Sequence, residues 1–160
     1  MTTVSAILIS LLICAAAAIC EGLFAGKNVK NVLGKLRAPR FAPPLWVWAI
    51  IGVFYYLFCF FILFRLLRYD DNASIRYAAL ALLLVVMFTN AFWNYVFFRR
   101  QNLFFSFALG VFYSLAAVAV FVCLYQFDYI AAFVLIPYLL YLIYAFYWSY
   151  GLLKLNPNHS

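Results

Sequence analysis

Residues 87–98 read MFTNAFWNYVFF, and they place two side-chain amides, Asn90 and Asn94, inside an otherwise apolar run. An amide in hydrocarbon is costly unless it finds a partner. Asn90 and Asn94 are four residues apart, so on a helix they share one face, with Trp93 beside Asn90. That face must look into protein or a cavity and away from lipid. Two readings follow: an interhelical hydrogen bond, which is the favoured one, and a polar anchor in the wall of a ligand pocket.

Working outward from this stretch, the chain divides by its charges. Of the 160 residues 71% are hydrophobic and 9% charged, whereas soluble domains are about half apolar and about a quarter charged. Uncharged runs occupy 41–64, 77–98, 101–127 and 129–153, and 1–26 carries only Glu21. Each exceeds the roughly 20 residues needed to cross about 30 Å of hydrocarbon as a helix. The expected fold is all-α, a single integral membrane domain over 1–160 with five transmembrane helices at about 4–25, 45–67, 77–98, 103–125 and 130–153. The alternating ten-residue pattern of a membrane β-barrel is absent. No Lys or Arg precedes Lys27, so the first run reads as a span and not as a cleaved leader.

The basic residues set the orientation. Lys27, Lys30, Lys35, Arg37 and Arg40 follow the first span, Arg99 and Arg100 follow the third, and Lys154 follows the fifth. The opposite side has Arg65, Arg68 and Arg76, offset by Asp70 and Asp71. The expectation is an N-terminus outside, with the C-terminus and the 27–44 loop cytoplasmic. The net charge of +7 is then a membrane-surface feature, with the lipid bilayer and no nucleic acid as partner. Cys14, Cys20, Cys59 and Cys123 all lie in apolar runs without a CxxC and read as small buried apolar residues. The one His159 lies in the tail, and no metal site or cofactor is expected.

The first span has small residues at a four-residue step, Ser10, Cys14, Ala18, Gly22 and Gly26. Such a stripe admits a close neighbour, either a helix of the same chain, which is favoured, or a second copy in a homodimer. Glu21 lies one turn from the end of this span; it either snorkels to the headgroups or serves a coupled transporter. The 27–44 loop stiffens at Pro39, Pro43 and Pro44, which suits either a lid or a helix start. In the second span Trp48, Gly52 and Tyr56 share a face, and Gly52 leaves a gap between rings. In the fifth, Pro137 precedes an aromatic row in which Tyr141, Ala145, Trp148 and Ser149 share a face. Tyrosines buried there need hydroxyl partners, and the row suits a pocket for a flat, mostly apolar ligand.

Taken in order, four pieces resemble the translocator protein family, also called the tryptophan-rich sensory protein or peripheral benzodiazepine receptor family. They are Pro39-x-Phe41-x-Pro43-Pro44-x-Trp46-Val47 with Tyr56; Asn90-x-x-Trp93 with Phe97-Phe98; Pro137-Tyr138 with Tyr144-Ala145; and Asn156. The resemblance covers about residues 10 to 156. It implies a five-helix bundle that binds porphyrins, sterols or benzodiazepine-like ligands in a pocket opening toward the first loop. By position the pocket would use Gly22, Trp48, Gly52, Asn90, Trp93, Phe105, Ala108, Tyr141, Ala145 and Trp148, under a lid of Pro39, Pro43 and Pro44. The chain departs from the pattern at Gly52 and Tyr141, both usually Trp, and at Val32-Leu33, Ala38 and Trp148-Ser149.

The functional expectation is a membrane receptor or carrier for a porphyrin-like or other flat hydrophobic molecule. The alternatives are an enzyme that degrades porphyrin in a light- or redox-dependent way, and a coupled transporter working through Glu21. No general base, nucleophile set or metal set is apparent, so no catalytic residue is named. A bacterial membrane is preferred over the mitochondrial outer membrane. The topology is checked by labelling single cysteines placed in the 27–42 loop and the C-terminal tail of a cysteine-free variant. An impermeant thiol reagent should reach both from the same side of the membrane; labelling from opposite sides removes the five-span arrangement.

Overall fold

The structure, a computed structural model, describes residues 2–68 and 74–157. Helices α1 (Thr3–Ala25), α3 (Leu45–Arg68), α4 (Ser74–Asn94), α5 (Leu103–Tyr125) and α6 (Tyr129–Leu155) are accompanied by a short helix α2 (Val29–Lys35) in the connection between α1 and α3. At Tyr95–Arg100 α4 continues as a π-helical turn, so the third span covers Ser74–Arg100, 27 residues. No strand occurs among the described residues. Five helices are long and apolar enough to cross a membrane, the expected number. At about 1.5 Å rise per residue, each exceeds about 30 Å.

The boundaries differ from expectation in two places. The third span begins at Ser74 and ends at Arg100, because Arg76 folds back to donate to the Leu66 carbonyl at 3.1 Å and needs no separate turn. The 27–44 connection is not all loop, since Val32 buries itself and α2 forms around it. The polar turn at 69–73, with Asp70 and Asp71, and the tail residue His159 lie outside the described residues.

The spans close into a ring in the order α1, α3, α6, α5, α4. Outward faces carry exposed large apolar side chains such as Leu12, Phe54, Phe88, Leu115 and Ile143, as lipid contact requires. Cys14 and Cys59 are buried and Cys123 is half-buried, but Cys20 is exposed on the outer face of α1. A residue in an apolar run of a membrane protein is solvated by lipid as readily as by protein, so its apolar setting alone did not imply burial. The small-residue stripe divides likewise: Ser10 and Cys14 are buried, whereas Ala18 and Gly22 are exposed.

Inside the ring the packing forms two layers. One holds Tyr55, Cys59, Ile62, Leu63, Leu83, Val120, Leu124 and Leu135, toward the N-terminal end of the bundle. The other, at the loop end, holds Phe97, Leu103, Trp148 and Leu152, with Leu33, Leu36, Ala42, Trp48 and Trp93 packed against it. Polar groups pin the ends. Asn102 Oδ1 accepts from the Phe105 amide at 2.7 Å and caps α5. At the end of α1, Gly26 takes φ +71, and Arg99 donates to the Leu23 and Phe24 carbonyls at 2.6 and 3.0 Å.

At the opposite end Asp128, 3% exposed, caps α6 by accepting from the Ala131 amide at 3.2 Å. The same carboxylate receives two Arg65 nitrogens, at 2.5 and 2.9 Å, joining α3 to α6. Removing it strips a cap and leaves a part-buried guanidinium without its carboxylate. Asp128→Ala should therefore cost about 2–3 kcal/mol, seen as a lower thermal midpoint in detergent. Asp128→Asn, which keeps the cap acceptor, should lose less.

Candidate functional site

The partner demanded by the two asparagines is Glu21. Asn90 Nδ2 donates to Glu21 Oε2 at 3.0 Å, and Asn94 Nδ2 donates to Oε1 at 3.2 Å. Tyr56 of α3 donates its hydroxyl to Oε2 at 2.6 Å. The expected interhelical hydrogen bond is therefore present, and its acceptor is a carboxylate. Asn94 uses its second N–H on the Asn90 carbonyl at 3.0 Å. Trp93 donates its indole N–H to the Ser106 carbonyl of α5 at 3.0 Å, bringing a fourth helix to the group. Snorkelling of Glu21 to the headgroups is overturned, because three inward donors hold it.

Beside this cluster lies a cavity of about 210 Å³ between the two packed layers. Glu21, Asn90, Asn94 and Trp93 form one wall. Trp48 and Gly52 of α3 and Tyr141, Ala145 and Trp148 of α6 form another. The indole of Trp48 lies 4.9 Å from Trp148, 6.3 Å from Tyr141 and 6.4 Å from Tyr144, centroid to centroid. Trp93 stacks on Phe97 at 4.7 Å. Tyr113 and Tyr138 share a hydrogen bond of 2.5 Å between their hydroxyls at the cavity's inner end. At Gly52 an added Cβ would meet nothing within 4 Å, so the missing side chain is an extension of the empty space.

Of the residues expected in the pocket, Trp48, Gly52, Asn90, Trp93, Tyr141, Ala145 and Trp148 are brought together around this cavity. Gly22, Phe105 and Ala108 are not; all three are exposed on the outside of the bundle. Phe105 sets its ring edge-on to Phe92 at 6.5 Å. Their helices are the expected ones, but a rotation of one position about a helix axis turns a wall residue toward lipid. Glu21, one residue from Gly22, takes the wall position instead. Its signal was present in the sequence: one carboxylate in the first span, and an amide pair elsewhere needing an acceptor.

The loop closes the end of the cavity, though not with its prolines. Leu33 of α2 and Leu45 at the start of α3 line the cavity, whereas Pro39, Pro43 and Pro44 do not. Pro39 is buried against the end of α6, where a Cβ on Gly151 would come within 2.8 Å of its Cγ. Asn156 clamps the loop by accepting from the Arg37 amide at 2.8 Å and donating to the Arg37 carbonyl at 3.0 Å. Tyr144 donates to the Phe41 carbonyl at 2.8 Å. Among the described residues no group of three or more His, Cys, Asp or Glu is gathered to hold a metal ion.

Five apolar spans ringed about an aromatic cavity, with one end covered by a clamped loop, define an integral multi-pass membrane protein with an internal site. Residues 10–155 match the model of the TspO/MBR family, nearly the whole chain, and the chain belongs to that family. No individual curated protein matches it significantly. Family and fold together support a membrane receptor or carrier for a hydrophobic ligand in general terms.

Asn156→Ala removes both hydrogen bonds to Arg37 and leaves the loop held by Pro39 packing and Tyr144. Limited trypsin digestion should then cut faster at Lys30, Lys35 or Arg37, by about threefold or more if each lost bond contributes roughly 0.5–1.5 kcal/mol. Unchanged cleavage would show that the clamp does not hold the loop.

Proposed function

We propose that this protein is a membrane receptor or carrier that binds a flat hydrophobic ligand, of the tetrapyrrole, sterol or benzodiazepine type, in the cavity between α3, α4 and α6. The observation that carries this reading is the cavity's composition. Three tryptophans and Tyr141 line one largely apolar space, with Glu21, Asn90 and Asn94 at one polar corner and hydroxyl residues such as Tyr113, Ser114 and Ser149 elsewhere on its walls. That is the make-up of small-molecule sites, apolar walls with few fixed polar groups. Size narrows the choice. At about 210 Å³ the cavity falls below the roughly 300–1,000 Å³ of drug-sized pockets. A tetrapyrrole would enter only with the loop lifted, while a smaller flat ligand needs little movement.

Charge narrows it further: among the described residues no Lys, Arg or His lines the cavity to meet a ligand's carboxylates. Within the three ligand types this favours the sterol and benzodiazepine classes over a tetrapyrrole with free acids. Light-driven breakdown of porphyrin is not favoured, since Gly52 and Tyr141 offer no indole where the resemblance implies one. The basic loop end carries Lys27, Lys30, Lys35, Arg37, Arg40, Arg99, Arg100 and Lys154, and we assign it to the cytoplasm of a bacterial cell, with the N-terminus outside.

The test is a titration of purified protein with protoporphyrin, a sterol and a benzodiazepine side by side, followed by tryptophan fluorescence. At least one should bind saturably to the wild type. Gly52→Trp meets nothing at its added Cβ and directs an indole into the cavity, so it should weaken that binding by about tenfold or more. Equal binding by both proteins places the site elsewhere; absence of binding by all three to the wild type removes this reading.

A further inference from the structure

We infer that the ligand of this cavity carries a positively charged amine, which meets Glu21 while its apolar body lies among Trp48, Trp93 and Trp148. The inference rests on the cavity being the binding site, as proposed above, and adds the charge of what enters.

Glu21 is the ionisable carboxylate in the cavity wall. Its three donors, Tyr56, Asn90 and Asn94, are all neutral groups. They satisfy oxygen lone pairs but bring no compensating charge. A carboxylate has about four acceptor sites. Oε2 receives two donors and Oε1 one, so one site remains on Oε1.

Two arginines of the spans are committed elsewhere. Arg65 pairs with Asp128 at the far end of the bundle. Arg99, on the span that carries the asparagines, donates to the Leu23 and Phe24 carbonyls instead of to Glu21. A carboxylate withdrawn from water without a counter-charge is unfavourable, and a ligand cation would relieve that cost. The same charge repels an anionic ligand.

Two independent features of the walls agree. Indole faces attract a cation, most strongly where water is excluded, and three indoles line this cavity. Trp148 is 6% exposed, and its indole N–H has no hydrogen-bond partner. A buried donor left open beside an empty space calls for an acceptor from whatever fills it. The ligand chemistry that answers these features is an arylalkylamine, protonated at neutral pH, with a hydrogen-bond acceptor on its apolar body.

The experiment compares three probes of one shape, 1-naphthylmethylamine, 1-naphthalenemethanol and 1-naphthoate, by calorimetric titration of the full chain in non-ionic detergent. The wild type should bind the amine about ten- to a hundredfold more tightly than the alcohol, the range of one charge-assisted contact. The carboxylate should bind most weakly. In Glu21→Gln the ratio of amine to alcohol affinity should fall to about one. Equal affinity of the wild type for amine and alcohol overturns the inference and leaves the cavity reading intact. A preference that survives in Glu21→Gln also overturns it, because the charge would then be read elsewhere. If none of the probes binds, the inference fails, and the cavity reading is decided separately by the titration with protoporphyrin, a sterol and a benzodiazepine. The wild-type comparison needs no variant, so it decides even where Glu21→Gln does not fold.

Discussion

A single carboxylate ties together three helices that lipid alone would not hold in register. Apolar side chains gain little by leaving lipid for protein, so a membrane bundle relies on close packing and on polar contacts that fix which faces meet. Here Glu21 of α1 gathers Tyr56 of α3 and Asn90 and Asn94 of α4. Slipping any of these helices by one residue would turn its polar group toward hydrocarbon. The contact therefore sets helix rotation as well as proximity. Trp93, held to the Ser106 carbonyl, carries that setting on to α5. The walls of the cavity follow from it, since Trp48 and Gly52 lie on the same face of α3 as Tyr56.

The number of spans and their approximate ends were legible in the sequence because charge and hydropathy determine both. Arg65, Arg68, Arg76, Arg99 and Arg100 punctuate the chain where the helices end or begin. The wall residues on α3, α4 and α6 were legible too, because aromatic and amide residues at helical spacing single out one face. Helix α1 and the start of α5 were harder. Their residues are small or apolar all round, so the pattern carries no rotational information. Gly22, Phe105 and Ala108 accordingly lie on the outer surface, and Glu21 takes the wall. The amides of α4 could have located that wall if the missing acceptor had been sought among the other spans.

The loop illustrates a different limit. Its prolines draw attention in the sequence, yet the residues that close the cavity are the leucines on either side, Leu33 and Leu45. Proline stiffens the connection, and stiffness lets the flanking apolar side chains act as a cover. Pairing the loop with Asn156 spans more than a hundred residues and has no local signature. The π-helical turn at Tyr95–Arg100 is equally hidden, although it buries Val96 and Phe97 beside Trp93 and Trp148.

The close fit of Pro39 on Gly151 makes the loop and the end of α6 one mechanical body. With Asn156 holding Arg37 two bonds deep, neither part has freedom that the other lacks. A displacement that uncovers the cavity must either break this joint or carry the chain's tail with it. The end of α6 is part of that joint, so its position reports on the cavity that the loop covers. The state of an interior cavity is thereby written in the position of a helix end.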